Sequence, residues 1–209
     1  MRDLRTELTV EEEKKPYAKY FHKEIVNPNQ ELMEILKKGP MDASKALMPE
    51  DIKHLLDSEY DEVETGYCVL PNGAGYVAVN NKFPGVTLEM INWWFAWHAL
   101  EDSRYMLWFK KGHYGISVSD EDRAKILNPA TPMLEKFQGR THYVIEDAGN
   151  GPEDIQISFL TPEQLGFDTE ELNSKKVTVV SGNGVSQSRA GGPKAPAIML
   201  HYFREIPGG

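Results

Sequence analysis

The sequence predicts an α+β domain, an antiparallel sheet with helices packed on one side. Two observations point there. Short runs rich in β-branched and aromatic residues recur through the second half of the chain, joined mostly by connections too short for a crossover helix. A strongly apolar helix, "LEMINWWFAWHAL", precedes most of them and supplies a face to cover the sheet. At 209 residues, with 40% apolar and 10% aromatic, the chain can bury a sizeable core. Residues 1–60 read as a helical N-terminal extension and residues 61–209 as the sheet domain.

Taken in order, residues 1–15 are charged and poor in apolar groups, and read as a frayed arm. "NPNQELMEILKKGP" is the first clear helix. Asn27 can cap it, Pro28 fits the first turn and Gln30 can close a capping box; Leu32, Ile35 and Leu36 form its apolar stripe, and Gly39-Pro40 stops it. A second short helix is expected over 49–58. "ETGYCVLPNGAGYVAVNNKF" reads as a hairpin turning at Pro71-Asn72-Gly73. Thr87 caps the apolar helix.

Further strands are expected at 104–109, 113–118, 141–146, 154–160, 176–181 and 197–204; Ile155, Ile157 and Phe159 alternate as in a sheet with one buried face. Two short helices lie between them. One opens at Ser119 with Asp122, the other at Thr161-Pro162 with Gln164, ending at Gly166. "SGNGVSQSRAGGPKAP" reads as a long loop. It lacks the Gly-Lys-Ser/Thr ending of a phosphate-binding loop, which removes a nucleotide reading.

Composition narrows function. With 23 basic against 32 acidic residues the net charge is −9, a field that repels phosphate backbones and anionic lipid. Nucleic acid and membranes are therefore not expected partners. Cys68 is the single cysteine, so neither an intrachain disulfide nor a thiolate zinc site can form. The N-terminus has no signal-peptide core, and no apolar run approaches the ~18 residues of a membrane span. A cytoplasmic location is the expectation.

The least ordinary stretch is "WWFAWH". Trp93, Trp94 and Trp97 flank Phe95, so aromatics cover most of the helix circumference. A helix buried on all sides and the wall of a pocket for a flat aromatic ligand both fit. Of the six histidines, His22 and His54 lie on polar segments. His113 opens one strand, Glu146 closes another, and His201 and Glu205 stand four apart near the end of the chain. If those strands line one cavity, the four make a two-histidine, two-carboxylate set suited to catalytic zinc, or to manganese or iron. "HxxxE" is common by chance, and spacing alone does not decide. On an extended strand four residues span ~13 Å; on a helical turn the same pair lies ~6 Å apart. Convergence of His201 and Glu205 therefore calls for a turn, bulge or bend.

The run "GVTLEMINWWFAWHALEDSRYMLWFKKGHY", then "THYVIEDAG" and "HYFREIPGG", resembles the diacetylphloroglucinol hydrolase and phloretin hydrolase family over roughly residues 60–209. The resemblance implies a helix-grip (START-like) fold, a helical N-terminal part linked to homodimer formation, and one Zn2+ per chain. It implies metal-dependent hydrolysis of the carbon–carbon bond between an acyl group and a phloroglucinol-type ring of an aromatic polyketide or flavonoid-derived substrate, a retro-Claisen cleavage with metal-bound water as nucleophile. The family's metal ligands fall on His113, Glu146, His201 and Glu205, with His98 competing for the first position, and its active-site tyrosine falls on Tyr105. Tyr105 or His98 would protonate the ring, and Trp93, Trp94 and Trp97 would hold it. Two departures stand out. The chain ends at Gly209, where the family continues with a further strand and helix, and Ile116 stands where relatives can carry a polar substrate contact. A non-catalytic carrier of a flat phenolic molecule, or a metal-free cyclase or aromatase, are the competing readings of such a fold.

Overall fold

A computed structural model describes residues 4–57 and 62–206. In chain order the elements are α1 (Ala18–Phe21), α2 (Gln30–Lys37), α3 (His54–Asp57), β1 (Gly66–Val69), β2 (Gly75–Ala78), α4 (Leu88–Trp97), α5 (Asp102–Met106), β3 (His113–Ser117), α6 (Asp120–Leu127), β4 (Thr141–Glu146), β5 (Glu153–Leu160), α7 (Thr169–Ser174), β6 (Val177–Ser188) and β7 (Ala195–Arg204), with short 3-10 turns between some of them. The chain forms two compact units, one from residues up to 24 together with 86–206, the other from residues 25–85. The boundary expected at residues 60 and 61 lies outside the described residues. No described helix is long and apolar enough to cross a membrane.

In the smaller unit, α2 is capped by Asn29, whose side chain accepts from Glu31 N at 2.9 Å, two residues later than the cap read at Asn27. Strands β1 and β2 pair antiparallel as expected. Leu70 N donates to Ala74 O at 2.8 Å across the turn, where Gly73 takes φ 86°. The helix expected over 49–58 is a 3-10 turn at Pro49–Asp51 followed by α3; Ser58 lies outside the described residues.

The larger unit is built on a five-stranded antiparallel meander in the order β3-β4-β5-β6-β7. Register places His142, Val144 and Glu146 of β4, Ile157 and Phe159 of β5, Val180 of β6 and His201 of β7 on one face. Helix α4, capped by Thr87 through Met90 N as read, presses Ile91 and Phe95 onto Phe159 and Val180, with Phe137 closing the cluster. A neighbouring cluster joins Ala99, Tyr105 and Ile126 to Ile116 and Val144. These clusters are the core, and the face they cover carries His142 and His201.

Three expectations are corrected. Residues 104–109 are not a strand. Tyr105 N bonds Glu101 O at 3.2 Å and Arg104 pairs with Glu101 at 2.5 Å, which winds Asp102–Met106 into a helical turn. The glycine-rich stretch after Ser181 is not a long loop, because β6 runs on to Ser188 and β7 starts at Ala195. A Cβ on Gly182 would lie 3.0 Å from Ile157 Cγ2 and 3.1 Å from Ser158 O, so that glycine serves close strand approach rather than a turn. The described part of the N-terminal arm is docked rather than frayed: Arg5 bonds Asp102 at 3.3 Å, and just beyond the arm the Tyr17 hydroxyl donates to Glu101 at 2.6 Å.

Candidate active site

The site begins with a bulge. Ile116 pairs with Val144 and Gly115 with Ile145, yet His113, not Tyr114, pairs with Glu146. A regular strand would turn His113 away from the core face. Leaving Tyr114 as the extra residue turns it back, beside Glu146. The His113 Nε2–Glu146 Oε2 distance is 3.3 Å.

Tyr105 completes this cluster. Its ring stacks on His113 with centroids 4.3 Å apart and planes 7° apart. Burial pushes the phenol pKa up, and Glu146 adds to the shift both as a nearby charge and as a hydrogen-bond acceptor. At neutral pH Tyr105 therefore keeps its proton.

Behind Tyr105 lies a buried histidine pair. His98, 5% exposed, stacks on Tyr105 at 5.8 Å and meets His142 edge-on at 5.7 Å. Burial lowers the His98 pKa to about 4, with the His113 charge acting in the same direction. The neutral ring has one proton, and Nδ1 lies 2.7 Å from Trp94 O, an acceptor only, so that proton sits on Nδ1. His142 is 1% exposed, its Nε2 has no hydrogen-bond partner among the described residues, and burial together with His98 holds its pKa well below the usual range. Sequence reasoning missed His142. The signal was present in "THYVIE", where strand alternation puts it on Glu146's face.

The tryptophans form a strip leading to this cluster. Half-exposed Trp93 stacks on Trp97 at 5.0 Å, Trp97 meets Trp94 at 5.6 Å, and Trp94 reaches His98 at 5.4 Å and Trp108 at 5.8 Å. Trp97 is also packed by Tyr17 edge-on at 5.1 Å and by the Arg104 guanidinium at 4.7 Å. Trp108 was not foreseen as a member.

His201 and Glu205 do not join His113 and Glu146. Glu146 is level with Glu153 and, through it, Ser188 of β6; His201 is level with Val180. Those β6 positions differ by a run of residues spanning about 26 Å of strand, and β4 and β7 are separated by two further strands. His201 lies instead 5.8 Å from Phe95, with its pKa lowered by burial. The bend that convergence required is missing. Glu205 N continues the ladder to Lys176 O at 3.1 Å, and the carboxylate, 43% exposed, pairs with Lys176 Nζ at 3.1 Å. Among the described residues, no three His, Cys, Asp or Glu side chains gather closely enough to hold a metal ion. The donor chemistry for a divalent ion is therefore present in part, as the His113 and Glu146 pair.

Comparisons with known proteins place the chain in a family. Residues 47–209 match the family model described as the DAPG hydrolase PhiG domain. The chain is 34% identical over 198 residues to a 2,4-diacetylphloroglucinol hydrolase of a Pseudomonas species, covering 93% of this chain and 66% of that protein. It is 34% identical to the enzyme of the same name from Pseudomonas protegens, of which it spans 63%. It is 33% identical over 168 residues to phloretin hydrolase of Eubacterium ramulus, covering 79% of this chain and 61% of that enzyme. The chain thus spans somewhat less than two thirds of the length of these relatives, and on the matched residues it belongs to the DAPG hydrolase PhiG domain family.

Proposed function

We propose that this chain acts in hydrolysing the carbon–carbon bond between an acyl group and a phloroglucinol-type ring. The observation that carries the reading is the Tyr105–His113–Glu146 cluster, inside the matched residues and at the end of the tryptophan strip. Water adds its oxygen to the acyl carbon, the bond to the ring carbon breaks, and that ring carbon takes a proton. The products are a carboxylic acid and the deacylated phenol.

The proton donor in this reading is Tyr105. Its hydroxyl stays protonated at neutral pH, held so by burial and by the nearby Glu146 carboxylate. His98 is set aside as donor because it is buried behind Tyr105, with its single proton on Nδ1 facing Trp94 O. Trp93 and Trp94 hold the ring by stacking. His113 and Glu146 would hold zinc, which when bound supplies Lewis acidity toward the acyl carbonyl and toward water. The packing of α4 against a five-stranded antiparallel meander supports a helix-grip reading of the fold.

The test is turnover of 2,4-diacetylphloroglucinol by the purified chain supplied with zinc. Release of acetate with the monoacetyl product, abolished in Tyr105→Phe, supports the reading. Tight binding of the ketone without any acid release makes this chain a carrier instead.

A further inference from the structure

The N-terminal arm reaches the helix that carries Tyr105, and the contacts are specific. Helix α5 is one turn long and its N-cap residue, Glu101, makes no side-chain capping bond. A helix this short is not stable by itself. What fixes it is the Glu101 carboxylate, which receives the Tyr17 hydroxyl at 2.6 Å and Arg104 at 2.5 Å, with Lys15 at 3.6 Å. Tyr17 also lies 3.0 Å from the hydroxyl of Ser103, a fully buried residue, and edge-on to Trp97. A second tie runs from Arg5, itself paired with Glu12, to Asp102, whose other oxygen accepts Ile116 N of β3 at 2.7 Å. Tyr105 follows one turn after Glu101 and is bonded to its carbonyl.

We propose that Tyr17 is a positioning residue: through Glu101 it sets the orientation of α5, and with it the stacking of Tyr105 on His113. It contacts neither ring of that stack and acts only by fixing the turn that presents Tyr105. The role in turnover rests on the hydrolase reading above; the role in orienting Tyr105 does not.

The experiment separates the two. The His113 Hε1 resonance of the full 209-residue chain carries the ring-current shift of the Tyr105 ring at 4.3 Å. Tyr105→Leu removes that shift and defines its size. In Tyr17→Phe, which keeps the aromatic edge against Trp97 and loses only the hydroxyl, the resonance is expected to move part of the way toward the Tyr105→Leu position. With 2,4-diacetylphloroglucinol, kcat is expected to fall about tenfold, the factor carried by one displaced charged hydrogen bond, with KM little changed. Arg5→Met, on the outer part of the arm, moves the resonance in the same direction by less. An unmoved His113 resonance in both folded variants overturns the proposal. A resonance that moves in a chain without turnover leaves the positioning role intact and removes the hydrolase reading.

Discussion

His113 faces Glu146 because Tyr114 is left out of the ladder, and the resulting 3.3 Å contact joins an imidazole to a carboxylate on the core face of the sheet. Glu146→Gln keeps the shape and removes the charge. Zinc affinity, read by titration calorimetry, is expected to fall at least about tenfold, the lower end of what even outer-shell partners of a metal contribute. Unchanged affinity would take Glu146 out of any metal centre.

Glu205 carries the opposite expectation. Its carboxylate is partly exposed and engaged with Lys176 at the end of β7, away from His113. Glu205→Gln is expected to leave zinc affinity unaltered and to change stability by less than about 1 kcal/mol, as for other surface ion pairs. Loss of zinc binding in this variant would restore the four-residue centre that the spacing and the family resemblance suggested.

The difference between those residues shows what was legible in the sequence. Strand patterning found β4 to the residue and placed the apolar helix α4, because period-2 alternation and a Thr cap are local signals. His113 was found as a strand start, but its facing depends on a bulge, and nothing in "HYGIS" announces which residue is left out. His201 and Glu205 failed as partners for His113 because convergence is set by register across four successive ladders, which no short motif encodes. The 102–106 turn was misread for the same kind of reason. Its conformation is held by Glu101, Arg104 and the distant Tyr17, so tertiary contacts override the local β preference.

Stability is expected to fall in mild acid. An unfolded histidine takes a proton near pH 6.5, whereas folded His98 does so only near about 4. Below pH 6.5 the unfolded chain therefore binds more protons, and stability drops as the pH falls toward 4, then levels once His98 is charged in both states. From pH 6.5 to 5 His98 alone costs on the order of 2 kcal/mol, and His142 and His201 shift in the same direction. Urea unfolding at pH 7, 6 and 5 reads this slope. A flat profile would mean that these imidazoles are solvated.

Gly112 tests whether the geometry of the cluster matters beyond its composition. A Cβ there would stand 2.6 Å from Asp147 O, a main-chain atom that cannot swing aside, and 2.8 Å from Phe109 Cδ1. Asp147 N donates to Gly112 O at 2.7 Å, so the same two residues lock the start of β3 to the end of β4, next to His113 and Glu146. Gly112→Ala must push these strand ends apart. A stability loss of about 1–3 kcal/mol is expected from the clash, with weaker zinc binding because His113 moves off Glu146. Ile126→Val, a buried change on α6, is the control: it costs about 1 kcal/mol and is expected to leave zinc affinity alone. If both variants lower zinc affinity in proportion to their loss of stability, the bulge does not position His113. If only Gly112→Ala does, the junction between β3 and β4 holds the two donors together.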